Sequence, residues 1–430
     1  MWCGQVGRAA ALLSALVLAG CAAGQATPTP IPTDTSPPAT TQPALPTPTP
    51  NPSVPAVTPT ATPLPTSSPP SPSGTLLISW DALAPANGLD DLAVIWGQAN
   101  SATRFVLVGV AAGDHLGQYH EEPAIWWSTD ARQWHKATLP LETVNSGEGI
   151  WDVAAGGPGF VAATNGGLIW SVDGETWLKA AAPDLGWGGR VSAIGVATGG
   201  LIAYGRNEFD NTVAALQSAD GKTWTTSARV GNVLGQADVT FVSTAGSVTV
   251  FRRESSVTEV WRVVAPDDWT RLATVKDYLY SPSFGPLGWL AFGEKGVWLS
   301  ADGRDWTRGS GTQPLGSVGT SAVLETGYVA ATTTPGPGCD FVGHDVGGQT
   351  WTSVDGRDWR QMPQAWQGRW VDAFFIVDRL LVGIGPAWGP DIDNPANRGA
   401  VWTADLPVSA PLAGPLPTPL PSATPVSGGC

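Results

Sequence analysis

Ser171-Val172-Asp173-Gly174-Glu175-Thr176-Trp177 is the stretch that decides the fold, because it recurs along the chain. It returns as Ser128-Thr129-Asp130-Ala131-Arg132-Gln133-Trp134, Ser218-Ala219-Asp220-Gly221-Lys222-Thr223-Trp224, Ser300-Ala301-Asp302-Gly303-Arg304-Asp305-Trp306 and Ser353-Val354-Asp355-Gly356-Arg357-Asp358-Trp359. Two copies are degraded: Ala265-Pro266-Asp267-Asp268-Trp269, and Thr403-Ala404-Asp405, which stops before any tryptophan. The aspartates fall at 130, 173, 220, 267, 302, 355 and 405.

The chemistry of the element is that of a turn. Ser and Asp side chains accept hydrogen bonds from backbone N–H groups two or three residues on. Glycine takes the positive φ of a tight reversal, and tryptophan opens the next strand with a large apolar face. An apolar strand precedes each turn, usually with its own tryptophan: Trp127, Trp170, Trp261, Trp298, Trp351 and Trp402. Two more strand-like runs lie upstream, such as 191–196 and 200–204. Four short strands per repeat, at an interval of about 46 residues, match four-stranded propeller blades.

Ser-x-Asp-x-x-x-Trp at this spacing resembles the Asp-box, or BNR, repeat family found in sialidases, sortilin-type receptors and photosystem II assembly factors. The resemblance spans the folded body and implies an all-β, seven-bladed β-propeller. Six or eight blades would follow if a degraded copy were miscounted. It also makes Asp130, Asp173, Asp220, Asp267, Asp302, Asp355 and Asp405 structural, with Trp134, Trp177, Trp224, Trp269, Trp306 and Trp359. The last repeat lacks an outer strand, and residues 76–80 are strand-like but precede the first repeat. The N-terminal strand is therefore expected to close the last blade, with 76–80 pairing beside 400–403.

The ends of the chain are not core-forming. Arg8, an apolar run over 9–18 and then Leu18-Ala19-Gly20-Cys21 describe a secretory signal over 1–20. Those last four residues resemble the lipobox of bacterial lipoproteins, which implies lipidation of Cys21. Residues 22–73 carry 17 prolines and one charge, Asp34. Such a segment cannot bury a core and favours extended polyproline II. The expected domains are the signal, a lipidated stalk over 21–73, a propeller over 74–406 and a Pro-rich tail over 407–430. The expected location is the extracytoplasmic face of a bacterial envelope, with the membrane engaged through Cys21.

Composition narrows the function. A net charge of −14 excludes a phosphate-tracking nucleic-acid binder. No apolar run approaches the roughly 20 residues of a spanning helix. The 22 tryptophans mostly belong to the repeated turns and their lead-in strands, leaving chiefly Trp366, Trp370 and Trp388 open for function.

Recognition in a propeller is expected on the face opposite these turns. The long second-to-third-strand connections there belong to blades six, seven and one, which are neighbours in a closed ring. They carry the candidate binding crest: Asp114, His115 and His120; Asp340, His344 and Asp345; Trp388, Asp391 and Asp393. Blade three adds a smaller loop over 207–211. Asp391, Asp393 and Asn394 lack the terminal Glu of a calcium loop, and the His115–His120 spacing is weak for zinc. No metal or cofactor is expected.

Sialidase chemistry needs three converging arginines, a Tyr–Glu pair and an acid Asp. Phe251-Arg252-Arg253-Glu254 lacks the Ile-Pro of the family stretch, and no tyrosine stands out as a nucleophile. No catalytic residue is carried over. The expectation is a monomeric binding or scaffolding module for an extracytoplasmic protein or glycan. A sialidase-like glycan module and an assembly factor for a membrane complex are the alternatives. Cys339 and Cys430 could pair or remain thiols.

Overall fold

The computed structural model describes residues 76, 81–82, 88–115, 118–140, 149–185, 189–207, 209, 211–314, 317–333, 348–362, 371–387 and 398–406. They form a seven-bladed β-propeller of seven four-stranded antiparallel sheets. Blade one comprises β2 (Leu92–Asn100), β3 (Phe105–His115), β4 (Gln118–Ser128) and β5 (His135–Lys136). Blade two comprises β6 (Ile150–Gly156), β7 (Gly159–Thr164), β8 (Gly167–Ser171) and β9 (Leu178–Lys179). Blade three comprises β10 (Gly189–Ala197), β11 (Gly200–Asn207), β12 (Val213–Ser218) and β13 (Thr225–Thr226). Blade four comprises β14 (Asp238–Thr244), β15 (Ser247–Glu254), β16 (Val257–Ala265) and β17 (Asp268–Val275).

Blade five comprises β18 (Tyr280–Gly285), β19 (Gly288–Gly293), β20 (Gly296–Ser300) and β21 (Thr307–Arg308). Blade six comprises β22 (Ser317–Leu324), β23 (Gly327–Thr333), β24 (Gly348–Ser353) and β25 (Arg360–Gln361). Blade seven comprises β26 (Ala373–Val377), β27 (Leu380–Ala387), β28 (Arg398–Asp405) and an outer strand from the start of the chain, β1 (Asp81–Ala82). The first strand of each blade lies innermost. Strand alternation places the repeated turns at one end of the ring, here the lower face. The second-to-third-strand turns and interblade connections lie at the upper face.

Ring closure is of the expected kind but shifted along the chain. Asp81 pairs with Thr403 and Ala82 with Trp402. Leu76 is not in a strand. Its carbonyl accepts the Thr352 hydroxyl at 3.1 Å, and its side chain is buried with Leu324, Leu381 and Trp402 between blades six and seven. Apolar contact, rather than ladder hydrogen bonding, decides where Leu76 sits. Residues 77–80 lie outside the described residues.

The recurring turn does the work its chemistry predicts. In the third copy, Asp220 Oδ1 accepts the N–H groups of Lys222 (2.9 Å) and Thr223 (2.8 Å). Ser218 Oγ accepts that of Gly221 at 2.8 Å. The Trp224 indole donates to the Gly221 carbonyl at 3.0 Å. The same pattern holds around Asp173, Asp302 and Asp355. In the first copy Ala131 takes the glycine position at φ 58. The degraded copy keeps only the tryptophan bond, Trp269 to the Pro266 carbonyl. Its outer strand β17 is longer instead, and pairs with β16 from Ala265↔Asp268 to Thr258↔Val275 through two register shifts, so ladder pairing replaces the turn's side-chain bonds.

The turns also join blades. Trp177 N–H donates to the Thr138 carbonyl, and Trp224 N–H to that of Ala181, each across a blade boundary. Trp177 packs with Val106, Val108 and Ile125 of blade one, and Trp359 with Leu290 and Phe292 of blade five. Most of the aromatic content is thus interblade core.

Candidate functional site on the upper face

The crest residues divide sharply. Asp340, His344, Asp345, Trp388, Asp391 and Asp393 lie outside the described residues, as do Trp366, Trp370, Cys21, Cys339 and Cys430. Asp114, His115 and His120 are in strands, not in a loop. The β3–β4 ladder continues through Gly113↔His120 and Asp114↔Tyr119 to His115↔Gln118. Backbone pairing overrode the polar character that read as a loop. Among the described residues, no group of three or more His, Cys, Asp or Glu could hold a metal ion.

The described part of the upper face presents three features over blades one to five. The first is an aromatic stack. Trp96 on β2 and Trp151 on β6 lie 4.2 Å apart at 12°, and the Arg190 guanidinium on β10 sits 4.8 Å from the Trp151 ring centre. One ladder of π faces and charge therefore crosses three blades. Gly149 permits it, since a Cβ there would lie 2.4 Å from the Trp96 ring. Trp151 Nε1 donates to the Asn165 side chain. All three stacked residues are partly exposed.

The second feature is a cleft of about 440 Å³ on blade three. Its walls are the 183–189 connection, the upper half of β12 and a short helix, α1 (Ala228–Leu234). Ser227 caps α1 through the Val230 N–H. The Tyr204 hydroxyl, set between the Gly235 (2.9 Å) and Ala237 (3.0 Å) carbonyls, fixes the chain after it. Asn207, Thr212, Thr226 and Asn232 contribute polar groups to the lining. Gly189, which also lines the cleft, adjoins Arg190 of the stack.

The third feature is an oriented carboxylate. Asp238, at the start of β14, has a side chain 57% exposed, and it accepts from Arg253 Nη2 at 3.1 Å. That arginine is buried and also donates to Thr240 Oγ1 and the Leu279 carbonyl. The Tyr278 hydroxyl donates to the other Asp238 oxygen. Burial, and then this bond to Asp238, push the Tyr278 phenol up to about 12, which holds it protonated. The sequence therefore hid a tyrosine–carboxylate contact, since its partners are 40 residues apart. Arg252, in the same stretch, is taken up by Glu254 (2.9 Å) and Glu259 (3.3 Å).

No protein-family model matches the chain, and no curated protein matches it. Its fold is similar to that of several solved structures. One is the extracellular domain of a hybrid two component system from B. thetaiotaomicron, at 11% identity over 77% of this chain and 42% of that one, with a TM-score of 0.46. Another is a prolyl endopeptidase, at 10% identity over 75% and 51%, with a TM-score of 0.46. A third is the GH74 xyloglucanase from Xanthomonas campestris, at 16% identity over 70% and 46%, with a TM-score of 0.29. The chain spans about half of each or less. Likeness at this level carries no argument about this chain, whose fold is defined by its own seven sheets.

Proposed function

We propose that this chain is a surface-anchored lipoprotein whose Asp-box propeller is a binding or scaffolding module for an extracytoplasmic ligand, with the upper face as its recognition surface. The observation that carries the reading is the arginine-capped Trp96–Trp151 stack beside a loop-built cleft. Partly exposed aromatic faces next to convergent polar groups are the usual furniture of a binding site. The chain enters blade seven at Leu76 and Asp81 and leaves it at Leu406, which exchanges hydrogen bonds with the β26–β27 turn residue Arg379. Both connections are at the lower face.

A glycan ligand is the second reading, favoured by the partly exposed Trp96 indole at the end of the stack, since Trp96 and Arg190 already cover Trp151. The crest expected from the sequence on blades six, seven and one is proposed as part of the same recognition surface. A glycan array, with pull-down from the native envelope by the full chain and by Trp151→Ala, tests the assignment. Retention of a ligand by the full chain and its loss by the variant is the expected result. A ligand held equally by both removes the upper-face stack from the proposal.

A further inference from the structure

We infer that the cleft on blade three takes an extended peptide, which adds as a strand to the open upper edge of β12. This rests on the proposed role of the upper face in binding and names the occupant of one part of it.

β13 pairs with only two residues of β12, Leu216 with Thr226 and Gln217 with Thr225. Above them Ser227 N–H donates to the Ala215 carbonyl at 2.8 Å, and the chain then turns away into α1. Antiparallel alternation points both backbone groups of Ala215, and both of Val213, away from β11. The Asn207 N–H to Thr212 carbonyl bond of 2.8 Å fixes the same phase from the other end. Among the described residues, the outward Ala215 N–H and the outward N–H and C=O of Val213 meet no hydrogen-bond partner. They face the cleft, which Val213, Ala214 and Ala215 line. Unpaired edge groups of this kind are what β-augmentation uses.

Blade five shows what such a group accepts. There Gly309 N–H donates to the Val297 carbonyl, which makes Val297 the counterpart of Ala215. Val297 N–H is not left open: it donates at 3.0 Å to the side-chain amide oxygen of Gln313, four residues beyond Gly309. Four residues beyond Ser227, the same count reaches Gly231 on α1, which has no side chain to offer. A Cβ at Gly231 would meet only the Ala215 Cβ, at 3.5 Å. Blade three thus presents the donor that blade five satisfies with an amide, and leaves space where that amide would be. Two outward residues at i and i+2 match the repeat of an extended peptide, whereas an isolated acetamide would use one donor. The chain's own stalk and tail fit poorly, because proline has no N–H to give to the Val213 carbonyl.

The test is selection of short random peptides by the full chain, followed by synthesis of the enriched sequence with N-methyl groups at one or the other alternate set of amides. Val213→Pro removes an outward donor at the first residue of a strand, where proline is tolerated. Gly231→Gln supplies the amide that blade five uses. The expected result is an enriched peptide that loses about tenfold in affinity with either variant, and that tolerates methylation of one amide set but not the other. Thermal melting checks that both variants fold. The inference fails if no peptide is enriched, if Val213→Pro binds as well as the parent, or if both methylated sets bind alike. Should a ligand from the envelope still depend on Trp151 but not on Val213, the binding module stands and the peptide cleft falls.

Discussion

Asp152 on the inner strand of blade two accepts the backbone N–H of Ile194 on the inner strand of blade three at 2.9 Å. Its other oxygen accepts the Val153 N–H at 2.8 Å. The residue is partly exposed, but its carboxyl is enclosed. Burial raises that carboxyl to about 7, against the pull of the two N–H groups. The unfolded chain ionises near the ordinary 3.8, so between that value and about 7 the group favours folding more as pH falls. The melting temperature is expected to rise on acidification from about pH 8 to 5. Asp152→Asn should flatten that limb. A parent profile level through this window would contradict the enclosed carboxyl.

The turn aspartates act in the opposite sense. Asp220 is lowered by the N–H groups of Thr223 and Lys222. At Asp130, Asp173, Asp302 and Asp355 partial burial alone would raise the carboxyl, but the backbone N–H groups and the serine hydroxyl together outweigh it. Their stabilisation is complete above 3.8 and is lost as pH falls through the lowered folded values. Thermal melts across the acid range should therefore show a maximum in mild acid, then a fall below about pH 4.

Asp355→Ala removes the acceptor for Arg357 and Asp358 N–H, at 2.8 and 3.1 Å. It is expected to cost about 1 kcal/mol in urea unfolding. Asp267→Ala, in the degraded copy, should stay within about 0.5 kcal/mol. Equal costs would mean that the turn's side-chain bonds do not matter.

Gly356 has φ +70, and a Cβ there would lie 2.6 Å from the flexible end of Leu299 and 3.2 Å from the Tyr328 ring. Gly356→Ala is expected to lower stability by about 1–2 kcal/mol. Ala131 shows that the first copy accommodates a methyl at this position, so the variant should still fold. No loss would show that the backbone here can relax away from positive φ.

Leu76→Ala tests the anchor of the closing strand. Leu76 is 4% exposed in the core between blades six and seven, so truncation should cost about 2–4 kcal/mol. A loss below about 0.5 kcal/mol, the range of an exposed site, would show that Asp81 and Ala82 close the ring without it.

How much of this was legible in the sequence depends on distance along the chain. The turns were legible because Ser218, Asp220, Gly221 and Trp224 bond to one another within six residues. Their repetition implied seven blades and an N-terminal strand in the last. The register of closure was not legible, since Leu76 is placed by side chains from 324 to 402. Helix α1 was missed because Gly231 and Asn232 break any apolar period in 228–234. The stack of Trp96, Trp151 and Arg190 joins strands more than 90 residues apart in total span, and nothing local marks it. At β3–β4 the polar run around His115 and His120 suggested a loop, and ladder pairing decided otherwise.

The pairing of Asp81 with Thr403 also sets an order of events. A ribosome delivers β1 before blade one and β28 only after blade six, so the closing strand must wait while six blades are made. Each of those blades is a run of local hairpins and can form in sequence. The seventh needs a contact across nearly the whole body, the kind that forms slowly. Until then β28 has an unprotected edge, the hazard of large β proteins during synthesis. Any factor that holds the nascent protein would act on a nearly finished propeller with one open seam.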